Sequence, residues 1–166
     1  MTTTKRKILI TVITVFLLVG LYSVIFSFSA QDAEESGSLS RMISEKCVEF
    51  FNHLSGNPWS DAVMEGFAEY FEHPIRKLAH FAEYACMGIL VYILWVQWIM
   101  RGKVLCALTG VWVFLSAAAD EFHQLFVPGR YGSFADVLLD TAGGLFGMVL
   151  CVVLENIHQK WQLKRK

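Results

Sequence analysis

Residues 104–126 read VLCALTGVWVFLSAAADEFHQLF, and this stretch decides the fold. From Val104 to Ala119 there is no charged side chain; Asp120, Glu121, His123 and Gln124 then arrive together. A helix on the surface of a soluble bundle needs a polar stripe along its whole length. Here the polarity is confined to one end, which is the pattern of a helix that crosses lipid and becomes polar where it emerges. The length suits that reading, since a spanning helix takes about 20 residues.

Three further stretches share the pattern. Residues 8–28 are 21 residues without a charge. Lys5, Arg6 and Lys7 precede them as in a signal peptide, but the apolar run exceeds a signal's usual 7–15 residues, and Phe28 is bulky where cleavage wants a small residue. We therefore expect a retained helix. Residues 78–100 are apolar beyond a polar start, and residues 135–154 are apolar beyond Asp136 and Asp140. Gly102 marks a very short turn between the second and third helices, and Pro128-Gly129 the turn between the third and fourth, so these neighbours should be antiparallel. The expected fold is all-α: a polytopic membrane protein with four transmembrane helices (8–28, 78–100, 104–126, 135–154), in a single domain spanning residues 1–166.

Composition agrees. Of 166 residues 55% are apolar and 17% charged, against about 45–50% and about 25% in soluble domains; mean hydropathy is +0.46. A net charge of −1 gives no global attraction to nucleic acid. With four spans, both ends share a side. That side holds Lys5, Arg6, Lys7, Arg101, Lys103, Lys160, Lys164, Arg165 and Lys166; the other holds Arg41, Lys46, Arg76, Lys77 and Arg130. The excess of basic residues marks the cytoplasmic side, so both termini are expected there. Cys47 is then alone on the oxidising side, and no disulfide frame is expected.

The outer loop, 29–77, is too long for a simple turn. Leu39, Met42, Ile43, Cys47, Phe50, Phe51 and Leu54 recur at helical spacing, as do Trp59, Val63, Phe67, Tyr70 and Phe71. Two amphipathic helices are expected, divided at Gly56-Asn57-Pro58, with Asn57 as cap and Pro58 at the next start. His73-Pro74 should end the second. The apolar stripes suit a cap packed on the helix ends or a lid over a ligand. His53, His73 and His158 are expected to be isolated and solvated.

The polar residues of the spans all fall at the outer level. His80, Glu83 and Tyr84 open the second span, Asp120, Glu121, His123 and Gln124 close the third, Asp136 and Asp140 open the fourth, and Gln31 ends the first. Arg76, Lys77 and Arg130 flank them. A charged group deep in a spanning helix costs about 2.5–3.5 kcal/mol on insertion scales, so these groups should face inward and pair. Gly143 and Gly147 form a GxxxG, and Ala117-Ala118-Ala119 adds a small surface, both suited to close helix contact.

The string Arg76-Lys77-x-Ala79-His80-Phe81-x-Glu83-Tyr84, then Asp120-Glu121-x-His123-Gln124-x-Phe126-Val127-Pro128-Gly129-Arg130, then Gly132-Ser133-x-x-Asp136-Val137 and Gly143-x-x-x-Gly147, resembles the VanZ-like family. Phe26-Ser27-Phe28-Ser29-Ala30-Gln31 resembles its marker at the end of the first helix. These motifs cover residues 26–31 and 76–147. The family often has Ser-Ser-Gln at 29–31 and Asn at 140, where this chain carries Ala30 and Asp140. The resemblance implies a multi-pass bacterial membrane protein with a role in cell-envelope modification and resistance to the glycopeptide teicoplanin.

The expected pocket faces outward and either binds or acts on an anionic envelope lipid or lipid-linked precursor. Arg76, Lys77 and Arg130 would hold its charge, with Gln31, Gln124, Tyr84 and Asp140 as further contacts. In an enzyme, His123 would be the general base, oriented by Asp120 or Asp136, with Glu121 or Glu83 as acid and His80 beside them. Alternatives are a binding module without chemistry and an ion-paired network that only locks helix ends together. A metal reading rests on His80-x-x-Glu83 and Asp120-x-x-His123 on facing helices, with Asp136 and Asp140 nearby, but one pair reverses the Glu-x-x-His order of di-metal bundles and cations crowd the site. No metal and no cofactor are assigned.

Overall fold

The computed structural model describes residues 3–56, 59–99 and 102–165. They form five helices: α1 (Thr3–Ser29), α2 (Ala33–Ser55), α3 (Asp61–Val96), α4 (Lys103–Gln124) and α5 (Phe134–Lys164). No strand occurs among the described residues. The expected roles of Asn57 and Pro58, and the end of the second span at Met100, lie outside them.

Helices α1, α3, α4 and α5 are long and apolar enough to cross a membrane. Their outward surface is what lipid requires. Phe16 is 76% exposed, Leu115 60% and Phe146 57%, and water would not tolerate so much contiguous apolar area. The spans are helical because lipid offers no partner to a backbone N–H or C=O, so each must be satisfied within its own helix.

α3 is the axis of the bundle and packs against each of the other helices; α4 and α5 also pack together. The contact of α3 with α5 is backbone on backbone. A Cβ on Gly143 would strike the Phe81 carbonyl, one on Gly147 the Ala85 carbonyl, and one on Gly88 the Gly144 carbonyl. The GxxxG thus does what its spacing suggests, with Gly88 answering from the opposite helix. Tyr84, Met87, Val91, Val113 and Ala117 fill the adjoining core.

The two ends of the bundle are marked by polar links. At one end Trp98 Nε1 donates to Thr11 Oγ1 (2.9 Å), and Tyr92 Oη donates to Glu155 Oε2 (3.0 Å). The start of α1 and the end of α5 therefore lie together. At the other end the close of α1, the close of α4 and the start of α5 meet the middle of α3. The turn from α4 to α5 reverses through Gly129, whose φ of 73° favours glycine.

The outer segment departs from expectation in two ways. First, α3 does not stop at His73-Pro74. It is one helix of 36 residues with Pro74 inside it, about 54 Å long at 1.5 Å per residue, far beyond the ~30 Å hydrocarbon core. Pro74 forfeits one bond to the Tyr70 carbonyl, and the helix continues because the segment before it is held against α2. Second, the stripe residues of α2 are not its packing face. Its buried residues are Ser36, Ser40, Ser44 and Val48. Ser44 Oγ donates to the Ala68 carbonyl at 2.7 Å, and small side chains bring α2 close to α3. Phe50, Phe51, Leu54, Tyr70 and Phe71 remain exposed. A cap buried through its apolar stripe is therefore not what forms.

Candidate functional site

Asp120 and Glu121 sit in the last turn of α4, where the helix dipole disfavours negative charge. Local donors offset this. Ser29 Oγ, at the end of α1, donates to Asp120 Oδ2 at 2.9 Å, and Gln124 Nε2 donates to the same oxygen at 3.3 Å. Gln124 also reaches Glu121 Oε1 at 3.4 Å. The other oxygen of Glu121 accepts the Ser133 N–H at 2.8 Å, the unpaired donor that the start of α5 offers. Ser29, Asp120, Glu121 and Gln124 are all buried.

The basic residues are distributed differently from the expected set of ion pairs. Lys77 Nζ meets Asp136 Oδ1 at 2.8 Å on the half-exposed rim. Arg130 turns to backbone instead, donating from Nε to the Gln31 carbonyl (3.2 Å) and from a terminal nitrogen to the Phe28 carbonyl (3.1 Å). It ties the α4–α5 turn to the end of α1. Burial, followed by the neighbouring Arg76 charge, pushes the Arg130 guanidinium below its ordinary value, while Asp120 and Glu121 pull the other way. Arg76 is hydrogen-bonded to His73 Nδ1 at 3.1 Å. His73 is thus neither isolated nor simply solvated. His80 Nδ1 lies 3.9 Å from Glu83 Oε2, an ion-pair separation beyond hydrogen-bond reach.

Three cavities divide the predicted residues. A polar one of about 230 Å³ is lined by Arg76, Lys77, His80, Glu121, Gln124, Arg130, Asp136 and Asp140, with His73 and Ala33 at its edge. A second, of about 180 Å³, is shared with α2: Gln31, Glu83, Arg76, His80 and Arg130 face Ser36, Leu39, Ser40 and Ile43. The third is an apolar cleft of about 550 Å³ between α1 and α4, lined by Ile25, Phe26, Leu115, Ala119, Tyr84, Asp120 and His123. Arg76, His80 and Arg130 border the first two, and Asp120 borders the cleft.

Three predicted residues, Asp120, His123 and Tyr84, line the cleft and neither polar cavity. His123 faces the cleft with its ring 4.5 Å from that of Phe26, and its Nδ1 has no hydrogen-bond partner among the described residues. It shares the cleft with Asp120 but is not brought to Asp136. Tyr84 is fully buried in the core, with its hydroxyl donating to the Ser116 carbonyl at 3.4 Å. Gln31 contributes its carbonyl to Arg130 as well as lining the second cavity. Residues that sequence reasoning missed are Ser29, His73 and the α2 face Ser36/Ser40. The available signal for Ser29 was its position: a hydroxyl closing α1 at the level where Asp120 closes α4.

Of the metal-type pairs expected from spacing, His80 and Glu83 come within 3.9 Å of each other, while the His123 ring turns to Phe26. The groups that converge are His80, Asp120 and Asp140, with one nitrogen or oxygen from each lying within 4.8 Å of the others.

Four helices long and apolar enough to span a membrane, with a polar chamber at one bundle mouth lined by side chains of α3, α4 and α5, define a multi-pass helical membrane protein. The chain matches the VanZ/LLP1 family over residues 14–155 and belongs to it. The match runs through α2 and the outer part of α3, which the motifs had not covered. No curated protein and no solved structure matches the chain.

Proposed function

We propose that this protein holds the headgroup of an anionic envelope lipid, or of a lipid-linked precursor, in the polar cavity at the outer end of the bundle. One observation carries the reading: a cavity bordered by Arg76, Lys77 and Arg130 and an apolar cleft bordered by Phe26, Leu115 and Ala119 lie on either side of Asp120, which borders the cleft and comes within 4.8 Å of His80 and Asp140 of the cavity. A lipid needs both, one for its phosphate and one for an acyl chain. Arginine can meet a phosphate with two parallel N–H donors, and Arg76 and Arg130 border both polar cavities.

The orientation that suits this role puts both ends of the chain in the cytoplasm and the α2–α3 hairpin outside, in a bacterial membrane, following the excess of basic residues at the bundle end shared by the start of α1 and the end of α5. Sequestering an envelope lipid there would change what the outer surface presents to a glycopeptide such as teicoplanin. Binding is favoured over a reaction because His123, the general base of an enzymatic reading, lies in the cleft against Phe26 rather than in the polar cavity.

The test uses the full chain, purified and exposed to phosphatidylglycerol or to phosphatidylcholine, with retained lipid read by native mass spectrometry. Retention of phosphatidylglycerol over phosphatidylcholine, lost in the Arg76→Ala/Arg130→Ala double variant, is the expected result. Equal retention of the two lipids by the wild type, or an undiminished preference in a still-helical double variant, would leave only an ion-paired lock between helices.

A further inference from the structure

Asp140 is 1% exposed in the interior of α5, and neither of its carboxylate oxygens has a hydrogen-bond partner among the described residues. A buried, unpaired carboxylate carries an effective penalty of several kcal/mol, so a proton or a cation must meet it. None of the nearby side-chain cations is hydrogen-bonded to Asp140. Lys77 is on Asp136, Arg130 on the carbonyls of Phe28 and Gln31, and Arg76 on His73.

What lies beside Asp140 is ligand chemistry. His80 from α3, Asp120 from α4 and Asp140 from α5 each offer one donor atom, all within 4.8 Å of one another. His80 Nδ1 is also buried without a hydrogen-bond partner. Asp120 is held from behind, since Ser29 and Gln124 both donate to its Oδ2, as outer groups hold a metal-binding carboxylate. A tetrahedral ion with bonds of about 2.0–2.2 Å places its ligands roughly 3.4 Å apart, so a small contraction closes the set.

We infer that His80, Asp120 and Asp140 form a binding site for one first-row divalent cation of the zinc class, joining α3, α4 and α5. Two carboxylates and a neutral imidazole balance a divalent ion, which removes the isolated charge at Asp140. An imidazole among the donors favours zinc over magnesium or calcium. Three protein ligands leave a position for water or an anionic oxygen. Lys77 is neutralised by Asp136, whereas Arg76 and Arg130 meet a histidine and backbone carbonyls and keep their charge, which the two ligand carboxylates must outweigh. Glu83 approaches His80 alone and is not within 4.8 Å of all three donors, and His123 faces the cleft.

The site does not depend on the lipid reading, and the experiment separates them. The full chain, purified in detergent and stripped with chelator, is given zinc alone. Elemental analysis and equilibrium dialysis should give one zinc per chain, and zinc should raise the melting temperature. Asp140→Asn keeps the size of the side chain and should weaken binding by at least about tenfold, as loss of even a supporting group does at metal sites. His80→Ala should do the same. Glu83→Gln, His123→Ala and the Arg76→Ala/Arg130→Ala variant should keep full stoichiometry. Less than one zinc per two wild-type chains, or wild-type affinity in both Asp140→Asn and His80→Ala, overturns the site. If the double arginine variant loses lipid but keeps zinc, both proposals stand; if the wild type binds zinc but shows no lipid preference, the lipid reading alone falls.

Discussion

Replacing Gly143 with alanine tests the contact on which the chamber rests. Gly143 lies one turn below Asp140, and a Cβ there would strike the Phe81 carbonyl, with the Phe81 carbonyl carbon at 3.1 Å and Cα at 3.2 Å. The obstacle is backbone, so no side chain can rotate away. An ordinary carbon–oxygen contact is about 3.3 Å or more, so α5 must retreat from α3 by about an ångström. Overpacking costs typically about 1–3 kcal/mol, and the rigid obstacle puts this case in the upper part of that range. Alanine returns about 1 kcal/mol over glycine in a helix. The net loss is about 1–2 kcal/mol, or roughly 2–8 °C in melting temperature for a chain of this size. Gly20 is the matched control: it is helical, and a Cβ placed there would meet nothing within 4 Å, so Gly20→Ala should raise the melting temperature by roughly 2–4 °C. Thermal unfolding in one detergent, followed by circular dichroism, reads both. If Gly143→Ala melts at or above wild type, or if the two variants shift in the same direction, the backbone seam is not what sets the spacing of α3 and α5.

Two further outcomes follow from the same structure. Ser29→Ala removes a buried donor from Asp120 and should cost about 1–3 kcal/mol in the same unfolding assay; a loss no greater than that of the exposed Ser38→Ala would show that the Ser29 hydroxyl does not support Asp120. A membrane-impermeant maleimide applied to intact cells should label Cys47, which is exposed on α2, while Cys106 and Cys151, towards the opposite end of the bundle, should need permeabilisation. Labelling of Cys151 from outside would invert the orientation.

The spans were legible because polarity is absent along them and concentrated at one end, a pattern that Val104–Gln124 displays alone. The same pattern brought His80, Asp120, Asp136 and Asp140 to one level. Level is not direction, however. His123 follows Asp120 by three residues, yet its ring turns to Phe26 and the cleft, because α1 lies against that side of α4. Tyr84 shares a helix with Glu83 but points into the core. The outer segment misled for a physical reason: apolar spacing locates a helix face without saying what meets it, and Ser36, Ser40 and Ser44 won the contact with α3 because they are small. Pro74 was a fair stop signal that packing against α2 overrode. The convergence of Asp140 with His80 and Asp120 needed three helices in place, and no spacing within one segment encodes it.

The glycine seam has a consequence for selectivity. A floor made of bare main chain has no rotamers to exchange, so the chamber cannot widen downward to fit a bulkier guest. Shape can vary on the side built by Leu39, Ser40 and Ile43, where side chains can swing. Change in what this protein accepts should therefore be sought along α2, and constancy beneath it.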